Sequence, residues 1–227
     1  MKKNLVILTG AGMSAESGIK TFRDAGGLWE EYPVMDVASA DGFARNPALI
    51  HKFYNQRRHD LMKAEPNRGH RILAELEDHF NVTVITQNVD NLHERAGSTA
   101  VLHLHGELMK VRSLRDENKI FTLTPDNLDT TPDTVIEGDH VRPHIVFFQE
   151  AVPMIEPAVE IVEKADILVV IGTSLNVYPA AGLLYYAPAG IPVYYIDPNP
   201  SPTPDNVTVI REGASAGLER LKKILLG

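Results

Sequence analysis

Six short apolar runs constrain this chain more than any other feature. Residues 5–8, 82–85, 101–104, 167–171, 193–196 and 207–210 each have strand length, most are rich in Val and Ile, and most do not alternate with polar residues. A strand with one wet face alternates, whereas a strand covered on both faces does not, so these runs suit a parallel sheet buried between two layers. Stretches with helical spacing lie between them. Asn46-Pro47 reads as a cap followed by proline at the first helical position, opening a helix to about Ala64. Residues 68–80 carry Ile72, Leu73, Leu76 and Phe80 at helical spacing. Residues 154–164 and 214–226 supply two more helices, the last with Leu218, Leu221 and Leu225 on one face. This alternation predicts an α/β fold with a doubly wound, Rossmann-like parallel sheet.

Two regions break the rhythm. Residues 20–68 and 108–144 are excursions from it; the second is polar, with turns at Thr124-Pro125-Asp126-Asn127 and Thr131-Pro132-Asp133. We expect them to form a small inserted lobe on a single catalytic unit spanning 1–227, with the sheet domain built from about 1–19, 69–107 and 145–227. No internal repeat or low-complexity segment is evident.

Charge and cysteine content remove several function classes. Lys plus Arg number 22 against 30 Asp plus Glu, a net charge of -8. That surface repels phosphate backbones, so no nucleic-acid partner is expected. There is no cysteine, hence no disulfide, thiolate metal site or cysteine nucleophile. Two segments imitate membrane signals. Lys2-Lys3 precedes an apolar run that Thr9-Gly10-Ala11-Gly12 ends too early for a signal peptide. The uncharged stretch 167–196 is interrupted by Gly172, Pro179, Gly182, Pro188, Gly190 and Pro192, and reads as strand, loop, short helix, loop, strand. The expectation is a cytoplasmic monomer with no membrane contact.

Five local patterns carry chemistry. Gly10-Ala11-Gly12-Met13-Ser14-Ala15 follows the first strand and matches G-x-G-x-x-G/A, whose glycines admit a pyrophosphate to a helix N-terminus; a plain structural glycine turn is the other reading. The ribose-binding acid expected about 20 residues on is not supplied convincingly by Glu30 or Glu31; Asp197-Pro198-Asn199, after another strand, is the better candidate. Thr86-Gln87-Asn88-Val89-Asp90 also ends a strand, where it could hydrogen-bond a carboxamide and a ribose or simply cap a helix near Asn91. His103 and His105 share one face if the strand continues, and His105 next to Gly106 is the natural base. A metal site on this pair lacks a third ligand. Gly172-Thr173-Ser174 is a further small, hydroxyl-bearing strand end. Finally, Ile50, Tyr54, Arg57 and Leu61 form one stripe, turning Arg57 inward and leaving Arg58 to point outward. A buried guanidinium needs an anion, either an internal carboxylate or a substrate's.

Together these residues resemble the sirtuins. Gly10-Ala11-Gly12-Met13-Ser14 with Ser17-Gly18-Ile19-Lys20-Thr21-Phe22-Arg23 is similar to the signature G-A-G-x-S-x-x-S-G-I-x-x-F-R. Gln87-Asn88-Val89-Asp90, His105-Gly106, Arg142-Pro143 with Phe147, and Gly172-Thr173-Ser174-Leu175 carry the family's other motifs. Leu28-Trp29 and Tyr54-x-x-Arg57 most resemble bacterial members that prefer acidic acyl groups. The resemblance implies NAD-dependent removal of acyl groups (acetyl, and succinyl or malonyl) from protein lysine, giving nicotinamide and O-acyl-ADP-ribose. It implies that Gly10, Ala11, Gly12, Ser14, Thr21, Phe22, Arg23 and Trp29 wrap NAD. Gln87, Asn88 and Asp90 would hold the ribose and carboxamide, with Gly172, Thr173, Ser174, Asn199 and Ser215 on the adenosine side. His105 would be the base, with Asn88 beside it at the reacting centre. Tyr54, Arg57, Phe147 and Val177 would meet the acyl-lysine.

The chain departs from the family twice. The first of two C-x-x-C zinc pairs stands here as Ser113 and Asp116, so no zinc is expected. The family's F-G-E stands as Phe148-Gln149-Glu150. An ADP-ribosyltransferase using the same NAD site, and a non-catalytic NAD sensor, are the readings from other classes. The first needs a protein nucleophile in place of an acyl group, and the second has no use for His105.

Overall fold

The computed structural model describes residues 1–21 and 32–227. Phe22, Arg23, Leu28, Trp29, Glu30 and Glu31 lie outside the described residues. The main sheet has six parallel strands: β1 (Asn4–Thr9), β2 (Asn81–Thr86), β3 (Val101–His103), β8 (Ile167–Ile171), β9 (Val193–Ile196) and β10 (Val207–Ile210). Their order is β10-β9-β8-β1-β2-β3. Chain order therefore reverses between β1 and β8, which opens a crevice at their C-terminal ends.

The missing alternation in the strands has a direct cause. Leu5, Ile7, Val82, Val84, Val169 and Ile171 face one layer, with Ile72, Leu73 and Leu76 of the helix Arg68–Leu76 and Leu218 and Leu221 of the helix Ala214–Leu226. Val6, Leu8, Ile85, Leu168 and Val170 face the other, with Ala158 and Val162 of the helix Ile155–Val162 and Ala180 and Leu183 of the 3-10 turn Ala180–Tyr186. Both faces of the central strands β1 and β8 are dry, and the edge strands β3 and β10 are only partly covered. The uncharged stretch 167–196 is β8, this turn and β9, and among the described residues no helix is long and apolar enough to cross a membrane.

Residues 106–145 hold structure that composition alone hides. β4 (Gly106–Ser113), β5 (Ile120–Thr122), β6 (Val135–Ile136) and β7 (Asp139–Ile145) form an antiparallel sheet in the order β5-β4-β7-β6. Its small core is Val111, Leu123 and Val141, with Phe121 and Ile136 packed against it. The helix Pro47–Lys63, capped by the Asn46 side chain on Leu49 N–H at 3.1 Å, lays Ile50, Phe53, Tyr54 and Leu61 against Leu108, Ile145 and Phe147.

On this helix the expected directions of two arginines are corrected. Arg58, not Arg57, is the fully buried one. Its Nε donates to the Leu108 carbonyl at 2.9 Å, and its Nη1 donates to Asn55 Oδ1, the Leu128 carbonyl and Thr130 Oγ1 at 2.7, 3.0 and 3.3 Å. Burial lowers its pKa to about 10, leaving it charged at neutral pH. The helical stripe is broad enough to include both positions, and the carbonyls that claim Arg58 come from distant segments. Replacing Arg58 with Ala should lower unfolding free energy by about 3 kcal/mol or more, because several buried acceptors lose their donor. Arg57→Ala should change it by no more than about 1 kcal/mol. Urea denaturation of the two variants decides this, and equal effects would contradict it.

Candidate active site

The crevice at the β1/β8 reversal is a cleft of about 1360 Å³. A pocket for one small ligand usually occupies about 300–1,000 Å³, so the cleft has room for two partners at once. Its floor is two glycine loops in contact. Gly10 N–H donates to the Ile171 carbonyl at 3.0 Å, and Gly12 N–H to the Gly172 carbonyl at 2.8 Å. A Cβ on Gly10 would lie 2.6 Å from Thr173 Cβ, and one on Gly12 2.7 Å from Gly172 Cα. Gly172 itself has φ +60°. The helix that follows, Gly12–Ala15, is a single turn. The glycines thus serve first to let the loops touch, while Gly10, Ala11, Gly12, Ser14, Gly172, Thr173 and Ser174 all border the cleft.

The end of β2 supplies a chain of polar groups. Asn88 Nδ2 donates to the Gly10 carbonyl at 3.0 Å and to Ser14 Oγ at 3.2 Å, and Ser14 Oγ donates to Asp90 Oδ2 at 2.9 Å. Asp90 Oδ1 accepts from Leu92 N–H at 3.1 Å, so this carboxylate both caps the helix Leu92–Ala96 and faces the cleft. Burial raises the Asp90 pKa. Gln87 Nε2 donates to Thr173 Oγ1 at 3.1 Å, tying β2 to the second glycine loop.

Two histidines spaced two apart are set in opposite protonation states. β3 ends at His103, so His105 sits in the turn before β4 rather than in a continuing strand. His105 Nδ1 lies 3.0 Å from the Gln87 carbonyl. A carbonyl only accepts, so Nδ1 carries the proton and Nε2 keeps its lone pair. Burial lowers this pKa against the opposing effect of that hydrogen bond. His103 Nδ1 lies 3.0 Å from the Asn88 carbonyl, and its Nε2 lies 2.7 Å from Glu94 Oε1. Two acceptors require two N–H groups, so His103 is an imidazolium. Burial alone would lower its pKa, but the Glu94 carboxylate outweighs this and raises it. Only His105 borders the cleft. The Glu94–His103 pair, nine residues apart, was not evident from sequence; strand spacing gives no sign of which helix lies beside β3.

The lining next to His105 is aromatic, joined to it by Val146 N–H, which donates to the His105 carbonyl at 3.0 Å. Tyr54 stacks on Phe147 with ring centroids 6.0 Å apart, and the Arg142 guanidinium lies 3.9 Å from the Phe147 centroid. Glu150 fixes Arg142 through its two oxygens at 2.6 and 3.2 Å and accepts from Phe147 N–H at 2.8 Å. Gln149 has φ +78°, the left-handed conformation that glycine adopts freely. Its side chain is clasped by Asp41: Nε2 donates to Asp41 Oδ2 at 2.7 Å, and Asp41 N–H donates to Oε1 at 3.1 Å. The backbone turn therefore survives the loss of glycine. Tyr54, Arg57, Phe147 and Val177 all border the cleft, but Arg57 is paired with Asp60 at 3.1 Å.

On the outer rim, Thr21, Asp197 and Asn199 border the cleft, and Asp197 Oδ1 accepts from Asn199 N–H at 2.8 Å. Ser215 stands behind the rim: its hydroxyl accepts from Gly69 N–H and its own N–H is held by Glu16, while Gly213 and Ala214 face the opening. In the small sheet, Ser113 Oγ accepts from the N–H groups of Arg115 and Asp116 at 3.0 and 3.2 Å. Lys119 bridges Asp139 at 3.0 Å and Glu137 at 3.5 Å. Cations and backbone donors thus occupy the oxygens of this turn, a poor donor set for zinc. Among the described residues no group of three His, Cys, Asp or Glu could hold a metal.

A sequence model of the Sir2 family matches residues 10–179. The chain is 61% identical to an NAD-dependent protein deacylase of Bacteroides thetaiotaomicron, over 99% of this chain and 98% of that one. It is 51% identical to an NAD-dependent protein deacylase of Helicobacter pylori, covering 99% and 98%. A crystal structure of a Sir2 homolog–NAD complex superposes with a TM-score of 0.85 at 37% identity, over 99% of this chain and 91% of the other.

The two histidines should titrate apart. In NMR spectra of the labelled protein, His105 should stay neutral with its proton on Nδ1 down to a pH below the ordinary value of about 6.5, and His103 should stay charged above it. A shared midpoint would contradict the assignment of both rings.

Proposed function

The chain belongs to the Sir2 family, and from that premise we infer that it is an NAD-dependent protein lysine deacylase that accepts both acetyl and dicarboxylic acyl groups such as succinyl and malonyl. The observation that carries this reading is the shared cleft: His105, with Nε2 free, borders the same opening as Gln87, Asn88, Asp90, Tyr54 and Arg57.

NAD supplies a ribosyl carbon with nicotinamide as its leaving group. The acyl-lysine carbonyl oxygen is a weak nucleophile, so the wall formed by Tyr54, Phe147 and Val177 has to hold it close to that carbon. Gln87, Asn88 and Asp90 orient the ribose and carboxamide. The acyl oxygen would bond to the ribosyl carbon as nicotinamide leaves, and His105 Nε2 would accept the proton of a ribose hydroxyl, freeing its oxygen to bond the acyl carbon. Water completes the release of free lysine and O-acyl-ADP-ribose. Neutral His105 suits this role, since an imidazolium could accept nothing. A transferase reading would leave the acyl-facing wall without purpose, and a sensor would leave His105 without one.

Arg57 is the basis for the acidic-acyl preference. Its planar fork matches a carboxylate, and succinyl- and malonyl-lysine carry one at the far end whereas acetyl-lysine does not. The pairing with Asp60 does not remove this capacity, because a half-exposed ion pair within one helix is worth only about 0.3–0.5 kcal/mol and exchanges readily. We also propose that the small lobe stands without metal, supported by the hydrogen-bonded turn at Ser113 and the Lys119–Asp139 pair.

Incubation with NAD and matched acetyl- and succinyl-lysine peptides, with products read by mass, tests the reading. His105→Ala should still bind NAD and lose turnover by about two to four orders. Arg57→Met should cut desuccinylation about tenfold or more while deacetylation stays within a few-fold. Equal loss of both activities would make Arg57 structural. Overnight chelation should leave melting temperature and turnover unchanged, and elemental analysis should find no stoichiometric zinc; one zinc per chain would overturn the metal-free lobe.

A further inference from the structure

Two of the five N–H donors of Arg57 are already spent. Its Nε and Nη2 donate to Asp60 Oδ2 at 3.3 and 3.1 Å, and Gln56 Nε2 holds Asp60 Oδ1 at 3.0 Å. The guanidinium rests on the Phe53 ring, 5.0 Å from its centroid, and Nη1 is buried with no hydrogen-bond partner among the described residues. All three polar side chains stand on the helix Pro47–Lys63 and border the cleft. Arg57 is 18% exposed and Asp60 45%.

We propose that Asp60 is a specificity-determining residue: its carboxylate stands in for the substrate's, occupying Arg57 when the acyl group is neutral and yielding it when the acyl group is anionic. This rests on the reading of Arg57 given above and says how one cleft serves both acyl classes. An arginine without Asp60 would present an unpaired charge to an acetyl group, which offers it nothing. Paired with Asp60, the guanidinium is neutralised and withdrawn, and the acetyl group meets Tyr54 and Phe147 instead. An acyl carboxylate competes for the same fork, and the more exposed partner, Asp60, recovers its hydration when it lets go. Gln56 keeps the released carboxylate in place on the helix. The consequence is a moderated preference: Asp60 lowers the affinity for anionic acyl groups below what Arg57 alone would confer.

The test measures kcat/KM for matched succinyl and acetyl peptides in the parent, Asp60→Asn, Asp60→Glu and Arg57→Met, each checked by thermal melting. Asp60→Asn removes the competing charge and should raise the succinyl-to-acetyl ratio about twofold, through a lower KM for the succinyl peptide, with kcat and the KM for NAD unchanged. Asp60→Glu keeps the charge and should hold the ratio near the parent's. Should Asn disturb the helix, Asp60→Ser is expected to act in the same direction. If Arg57→Met collapses the ratio but Asp60→Asn leaves it unchanged or lowers it, Asp60 is no competitor and this proposal alone fails. A rise in Asp60→Glu equal to that in Asp60→Asn would also overturn it, since charge would not be the cause. If Arg57→Met leaves the ratio unchanged, the acyl reading of Arg57 falls, and the role of Asp60 falls with it.

Discussion

The polar side of the cleft hangs on two loops that touch backbone to backbone. Gly10 and Gly12 follow β1, and Gly172 follows β8, at the one place where the strand order of the sheet reverses. A methyl group at any of the three would push the loops apart, because its carbon would lie 2.8 and 2.7 Å from backbone atoms of the facing loop at Gly10 and Gly12, and closer still to Met13 N at Gly172. From that contact the rest follows by short hydrogen bonds. Asn88 reads the carbonyl of Gly10, and Gln87 reaches Thr173 on the other loop. The end of β2 is thereby fixed against both, and the carbonyl of Gln87 fixes His105. A base in one turn is aligned by a contact two strands away.

The two histidines show how a fold can separate identical side chains. His103 is sandwiched between a carbonyl and a carboxylate and must be charged; His105 has one carbonyl and a dry surround and stays neutral. Their spacing of two residues gives no hint of this. The difference comes from Glu94, which the helix Leu92–Ala96 brings beside one ring and not the other.

What could be read from sequence was whatever depends on local spacing or on burial. The central strands of the main sheet were legible because both of their faces are dry. The helix Pro47–Lys63 was legible from its cap and its proline. The antiparallel sheet was not: β5 and β6 are three and two residues long, and β4 and β7 mix charged residues with apolar ones. The direction of Arg57 and Arg58 was not, since a helical stripe says which residues are near the core but not which distant carbonyls await them. Asp60 was within reach, standing three residues after Arg57, where a helix places a partner. The glycine signatures were legible as a pattern, but their partner loop lies about 160 residues away, as expected when a parallel sheet joins its first strand to a much later one.

The turn at Ser113 has a chemical consequence of its own. A hydroxyl oxygen gathers two backbone donors there, and Lys119 clamps Asp139 and Glu137 nearby. With no cysteine in the chain, soft heavy metals find no thiolate to seize, and peroxide finds no thiol to carry into a mixed disulfide. This turn is thus held by hydrogen bonds and ion pairs that thiol oxidation cannot reach.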